Sequence, residues 1–451
     1  MRLIPRLLLI SLSMVMAGFS QETAESILAR IKAPEFQKQD FPITGFGAKP
    51  GSDATDAIRK AINACHAAGG GRVVIPEGVF LTGAVHLKSN VNLHISEGAT
   101  LKFDPDPAKY PIVYTRWEGV ECMNYSPLIY SFGQNNVAIT GKGTLDGSAS
   151  GKNWLKWKAA KPALQTPARD TLFKMGEDNV PVEQRVFGEG GYLRPDFIQI
   201  YNGKNILIED VTITGSPMWV IHPILCTNVT IRGVTVNSVG RNNDGCDPES
   251  CKDVLIENCT FITGDDCIAI KSGRNNDGRR INVPSENFVI RNCIMHDGHG
   301  GMTIGSEISG GCRNIFVSNI KMDSPDLNQA IRFKSNARRG GVIENIQIRD
   351  IQIGKVGVSA ISIEFDYEEG AKGPHKPVLK DVVIENLTTE SCGQAINIGS
   401  FPGAVIENIT IKNSTFNGVK KADRISKAEK PTLQNVIINR SKDQNENSGN
   451  E

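Results

Sequence analysis

A short phrase, Asn or Asp followed by apolar–x–apolar, recurs down most of the chain. It occurs as NVAI at 136, NILI at 205, NVTI at 228, DVLI at 253, NFVI at 287, NIFV at 314, NIQI at 345, DVVI at 381, NITI at 408 and NVII at 435. From 205 onward the starts are separated by 23, 25, 34, 27, 31, 36, 27 and 27 residues. A unit of this size cannot bury its own apolar face, so it must stack on its neighbours as a solenoid. Each unit holds short β-branched strands broken by Asn, Gly and Asp. Strands with no helices between them predict an all-β fold, a single-stranded parallel β-helix whose coils rise by about 4.8 Å. Its right hand is an expectation that the phrases do not themselves encode.

One helix precedes the repeats. In DATDAIRKAINACHA, 53–67, Ile58, Ala61, Ile62 and Cys65 fall on one face; Asp53 can cap the start and Gly69, Gly70 and Gly71 stop it. This helix should cover an open end of the solenoid. The opening segment MRLIPRLLLISLSMVMAGFSQ has two arginines, a short apolar core and small residues, the pattern of an export leader over 1–20 with cleavage near Ser20–Gln21. The expected organisation is then a catalytic solenoid over 21–440 and a disordered polar tail over 441–451. The destination would be periplasmic or extracellular.

The 451 residues are 39% hydrophobic and 22% charged, with a formal charge of +1. Without Arg2 and Arg6 the count becomes 48 basic against 49 acidic, or −1. That balance argues against nucleic acid or a membrane surface, and the leader is too short for a stable span. The ten cysteines include no CxxC pair, so zinc is not expected and most should be buried thiols; one or two disulfides, with Cys267 a candidate, are left open. Asn228, Asn258, Asn386, Asn408 and Asn413 begin N-x-S/T triplets, but stacked turn asparagines explain them better than glycosylation. GRNNDG, at 240–245 and again at 273–278, lacks the rest of a calcium loop. FDPDPAKYP, 103–111, reads as a plain loop, and Trp154 and Trp157 as packing residues.

Register locates a site. CIAIKS (267–272), GMTIGS (301–306), AIRFKS (330–335), AISIEF (360–365) and AINIGS (395–400) superpose without gaps. Ile268, Met302, Ile331, Ile361 and Ile396 share one inward column, and Ile270, Ile304, Phe333, Ile363 and Ile398 another. Residues between them should face solvent. In the same register Asp265 stacks on His299. A shift of 22 places Asp244 beside Asp266, while Arg332 and Lys334 point outward on the next coil. Strict alternation would turn Asp266 inward, so a bend or bulge is expected before Cys267. Ionisable groups from four successive coils thus meet on one face.

These residues resemble the four signatures of the glycoside hydrolase family 28 polygalacturonases: NND at 242–244, GDD at 264–266, GHG at 298–300 and RFK at 332–334. The resemblance runs from FGA at 46–48 to about residue 416. Asn243 stands where the family usually has Thr, and Phe333 where it has Ile. The resemblance implies a pectin-lyase-like β-helix and an inverting hydrolase. Asp265 would be the general acid, Asp244 and Asp266 would hold and deprotonate the water, and His299 would tune and restore the acid's proton. Acid and base should then stand roughly 6.5–9.5 Å apart. Close carboxylates cannot all ionise cheaply, so one should keep its proton.

Arg332 and Lys334 suit a uronate carboxylate. Tyr367, Arg274 and Lys271 are further candidates for substrate contact. No cofactor or metal is required. The expected partner is a pectic polysaccharide or oligogalacturonide, and a monomer is expected. Rival readings are a calcium-dependent pectate lyase, a rhamnogalacturonan hydrolase of the same family, and a non-catalytic carbohydrate-binding β-helix. Segment 152–191 lacks strand periodicity and holds three prolines and two tryptophans. Folded over one end of the groove, it would leave a pocket for chain ends. Exo action from the non-reducing end is therefore expected, against internal cutting in an open cleft.

Overall fold

The computed structural model describes residues 22–425 and 430–441. It is a right-handed parallel β-helix. Val137, Ile206, Val229, Val254, Phe288, Ile315, Ile346, Val382 and Ile409, all taken from the phrases, pair in register from coil to coil. All are buried. They lie in a 20-stranded sheet, faced by a four-stranded stack ending at Ile221–Ile224 and a six-stranded stack starting at Ile268–Ile270. Bridges Ile221–Cys246 and Cys246–Ile268 make these two stacks one continuous face.

The first residue of each phrase has a positive φ, between 51° and 64°. Asn and Asp tolerate this left-handed conformation better than other non-glycine residues. There the amides stack: Asn205 donates to Asn136 at 2.8 Å, Asn228 to Asn205 at 2.7 Å, Asn314 to Asn287 at 2.8 Å and Asn408 to Asp381 at 3.0 Å. A second left-handed position follows five residues later, at Asn258, Asn292, Asn319, Asp350, Asn386 and Asn413. All five N-x-S/T asparagines are therefore turn residues. The last phrase departs from its spacing. Asn435 donates to Asn413 at 3.0 Å, and Ser414 pairs with Val436, so the coil stacks 22 residues back and not 27. With two equivalent asparagine positions per coil, either could receive it.

Helix α1, Ala24–Arg30, escaped the sequence reading because it is only seven residues long. Its Ile27 packs on Leu255, Val289 and Phe316 outside the solenoid. Helix α2, Thr55–Ala67, is the expected cap; the Asp53 carboxylate accepts from the Thr55 amide at 2.9 Å. Its buried face, Ile58, Ala61, Ile62 and Cys65, joins the main core. Gly70 ends it where the chain runs against the next coil: a Cβ there would stand 2.6 Å from the Asn90 carbonyl oxygen.

All ten cysteines are free and buried, so the disulfides left open are absent. Trp154 packs edge-on to Trp157, centroids 4.7 Å apart. Among the described residues no helix is long and apolar enough to cross a membrane.

Segment 152–191 folds as two short helices, α3 (Trp154–Ala159) and α4 (Thr166–Glu177). The second GRNNDG opens α5 (Asn275–Ile281). Its Asp277 is buried, accepting from the Glu121 amide at 2.8 Å and from Arg185 at 2.9 Å, so protein donors use the carboxylate that a calcium loop would offer a cation. Unforeseen is an antiparallel hairpin, Ile112–Trp117 with Val120–Tyr125. It lies over the face formed by Ile198–Tyr201 and Ile221–Ile224. Arg116 of the hairpin reaches Glu249 at 3.0 Å, and His222 sits between Asp196, at 2.7 Å, and Glu249, at 2.9 Å.

Burial alone would lower the His222 pKa, but its bonds and charge contacts with Asp196 and Glu249 raise it to about 9. A folded pKa above the unfolded value contributes stability that is complete below about 6.5 and lost as pH rises through 9. Stability should therefore fall across that window by at most about 3 kcal/mol, read in thermal melts as a falling Tm. His222→Asn should melt lower at pH 6 but lose the slope; an unchanged slope would place the titration elsewhere.

Candidate active site

The two inward columns form as expected: Ile268 pairs with Met302, Met302 with Ile331, Ile331 with Ile361 and Ile361 with Ile396. Ahead of Ile268 the strand Thr260–Thr263 ends and the chain bends through Gly264 and Asp265. That bend, not a bulge, aims Asp265 into the cleft and leaves Asp266 fully buried beneath it. The 22-residue shift holds, since Cys246 bridges Ile268 and the Gly245 amide donates to the Asp266 carbonyl at 2.9 Å.

The outward column, however, is not solvated. Ala269, Thr303 and Ser362 are fully buried, and the side chains of Arg332 and Lys334 are 11% and 7% exposed. Loops after each strand, together with the hairpin and α4, build walls above that column. The result is a cleft of about 1040 Å³.

His299 Nδ1 lies 3.0 Å from Asp265 Oδ1, and the His299 amide donates to the Asp265 carbonyl at 3.1 Å. The hydrogen bond to Asp265 raises the His299 pKa. Lys334 Nζ donates to Asp266 Oδ2 at 2.6 Å, and Arg332 stands 3.6 Å from Oδ1. Burial disfavours the Asp266 anion, but the charges of Lys334, Arg332 and Lys271 prevail and hold its pKa below the usual value. Asp244 has the opposite balance. Burial, with the charges of Asp247 and Asp265, pushes it well up, and Lys271 at 3.7 Å is too distant to reverse this. Crowding thus favours the protonated form at Asp244 and the paired lysine favours the ionised form at Asp266.

One oxygen from each of Asp244, Asp265 and Asp266 lies within 4.8 Å of the others. This is closer than the acid–base separation expected for an inverting pair. Adjacency of 265 and 266 and the rise of a single coil set the distance. The same spacing could bridge a cation, but the Lys334 and Lys271 ammonium groups already supply positive charge there.

The candidate binding residues converge on the cleft, with more internal partners than expected. Arg332 forks onto Glu364 at 2.9 and 2.7 Å. Tyr367 has the Arg332 and Lys334 cations each 5.5 Å from its ring. Lys271 lies 3.1 Å from Glu307 and 3.4 Å from Asp247, with its ammonium 4.3 Å from the Trp219 ring. Arg274 bonds Glu307 at 3.0 Å over the Phe173 ring at 3.8 Å. Asp247 was missed, although the 22-residue shift places it opposite Ala269 on the outward column. Glu118, Phe173 and Glu307 had no signal in the repeat.

Segment 152–191 does line this cleft, through Lys158, Arg169, Phe173 and Lys174. Glu177 of α4 accepts from Asn275 at 2.6 Å and pairs with Arg338 at 3.5 Å, tying α4 to α5 and to the loop that carries Arg338.

A solved exopolygalacturonase from Thermotoga maritima is 42% identical, with a TM-score of 0.89 over 92% of this chain and 95% of that one. An exo-poly-alpha-D-galacturonosidase of Dickeya chrysanthemi is 27% identical over 77% of this chain, which spans 62% of that relative's length. An endo-polygalacturonase of Pectobacterium parmentieri is 29% identical over 80% of this chain and 84% of its own. The model of glycosyl hydrolases family 28 matches residues 185–441, more than half of the chain and all four signature segments, so this protein belongs to that family and is a glycoside hydrolase.

Proposed function

We propose that the enzyme hydrolyses the α-1,4-galacturonosyl linkages of polygalacturonate and releases single units from the non-reducing end. The observation that carries this is the cleft itself: Asp244, Asp265 and His299 line it beside Arg332, Lys334 and Lys271, with Asp266 buried behind them and α4 and the hairpin tip forming part of its wall. A neutral glycan would not require that many cations. Asp265, bonded to His299, protonates the leaving oxygen as the glycosidic bond breaks. A water held between Asp244 and Asp266 attacks the anomeric carbon, and Asp266, ionised by Lys334, accepts its proton. Asp244 orients that water. Solvent and His299 then return a proton to Asp265. Inversion at the anomeric carbon follows from the family resemblance. The close carboxylate spacing means that the water is held against the cluster's flank and not midway between two opposed walls.

We further read residues 1–20, which lie outside the described residues, as an export leader to the periplasm or beyond. Residues 21–440 would form one catalytic solenoid with a short polar tail. An early time course on long polygalacturonate tests the end-wise reading. Monomer should appear while viscosity barely changes; a rapid fall in viscosity with mixed oligomers would show internal cutting.

A further inference from the structure

The hairpin tip, which forms part of the cleft wall, carries a residue in an unusual state. Glu118 has φ +43°, a conformation that non-glycine residues rarely adopt outside functional or over-determined sites. Its side chain is only 14% exposed, yet it lines the cleft. Among the described residues no hydrogen bond reaches its carboxylate. Its one ion-pair partner is Arg274, at 3.7 Å, which already bonds Glu307 at 3.0 Å and also faces Glu368 at 3.7 Å.

The tip is fixed from several sides. Trp117 donates to the Arg194 carbonyl at 3.0 Å, the Arg274 amide donates to the Gly119 carbonyl at 3.0 Å, and the Glu121 amide donates to Asp277 at 2.8 Å. Gly119, at φ +80°, presses so closely that a Cβ would stand 2.8 Å from the Arg274 backbone nitrogen. The tip therefore behaves as a wall. Glu118 shares the lining of this cleft with Asp244, Asp265 and His299.

We propose that Glu118 is a specificity-determining residue that accepts a hydrogen bond from the free 4-hydroxyl of the terminal galacturonate, so that the cleft selects saturated chain ends. This rests on the end-wise reading above. The argument is one of chemistry at the wall. Glu118, Glu307 and Glu368 surround the Arg274 guanidinium there, so a uronate carboxylate is repelled and a hydroxyl donor is welcome. In an α-1,4 chain the 4-hydroxyl is free only at the non-reducing terminus; in every internal unit that oxygen carries the next sugar, which would have to pass through the hairpin. An end left by a lyase has a 4,5-double bond and no hydroxyl at that position. It would leave the buried Glu118 carboxylate without its partner, and a site built to bond a hydroxyl rejects the analogue that lacks it.

The test compares kcat/KM on trigalacturonate with that on the trimer bearing a 4,5-unsaturated terminal unit, for the wild type, Glu118→Gln and Glu118→Ala. The wild type should favour the saturated trimer by on the order of 10–100-fold, the scale of one hydrogen bond to a charged group. Both variants should lose a similar factor on the saturated trimer and little on the unsaturated one, so the preference shrinks toward one. A preference unchanged in both variants overturns the proposal. So does an equal loss on both substrates, or failure of Glu118→Gln to fold, since either would make Glu118 a structural counterion of Arg274. The viscosity course separates the two levels: monomer release with an unmoved preference removes only the role of Glu118, whereas mixed oligomers remove the end-wise reading as well.

Discussion

Asp265→Asn should leave the solenoid folded and cost about 10²–10⁴-fold in kcat, the usual worth of general acid–base help. The amide is nearly isosteric and can still bond His299 Nδ1, which lies 3.0 Å from Asp265 Oδ1. It cannot deliver a proton to the departing glycosidic oxygen. The side chain belongs to a bend and not to the core, so melting should shift little. A variant retaining more than about a tenth of wild-type kcat, measured by reducing-end release on oligogalacturonide, would take Asp265 out of the acid role.

Lys334→Met should lower both stability and turnover. Outward orientation on the strand predicts a residue that matters for substrate and little for folding. The structure revises this, because Lys334 lies beneath the cleft walls with its ammonium 2.6 Å from the fully buried Asp266. Removing Lys334 leaves the buried Asp266 charge with only the longer Arg332 contact at 3.6 Å, and breaking a buried pair typically costs up to about 3–5 kcal/mol. The Asp266 pKa, held down chiefly by Lys334 against burial, would then rise. The carboxylate would lose its fitness as a proton acceptor near neutral pH. Lys334→Met combined with Asp266→Asn should recover much of the stability and none of the activity. Denaturant melts of the cycle decide the matter: a single-variant loss below about 1 kcal/mol would mean that the pair is solvated and carries little.

The fold was legible because it repeats. Each phrase restates the same three demands: a left-handed turn residue, an apolar inward position and another two places on. Errors in any one unit average out. The same regularity exposed the site, since counting 22 or 34 residues brings Asp244, Asp265, Asp266 and His299 together before any coordinates exist. Asp247 was available by that count and was overlooked. What the repeat could not convey were the contacts made once. Glu118 reaches the cleft on a hairpin that breaks the coil pattern. Lys271 faces outward by alternation, yet Glu307, from the loop after the next strand, and Trp219 enclose it. Exposure was misjudged for the same reason: alternation tells which way a side chain leaves the sheet, not what is later built above it. Which carboxyl is pushed up and which is held down depends on which gained a lysine at contact distance, and Asp266 gained it while Asp244 did not.

The stacked coils act as a ruler with a single graduation. Groups that come from neighbouring coils can be separated by one rise or by two, with nothing between, because every backbone bond in the ladder holds that interval. Acid, water-holder and cation are therefore placed in discrete steps along the axis. Variation within such a scaffold cannot move one of them by a fraction of an ångström without breaking the ladder. Reach and selectivity must change where the ruler does not extend: in the number of coils, or in the segments that leave the stack and return to it.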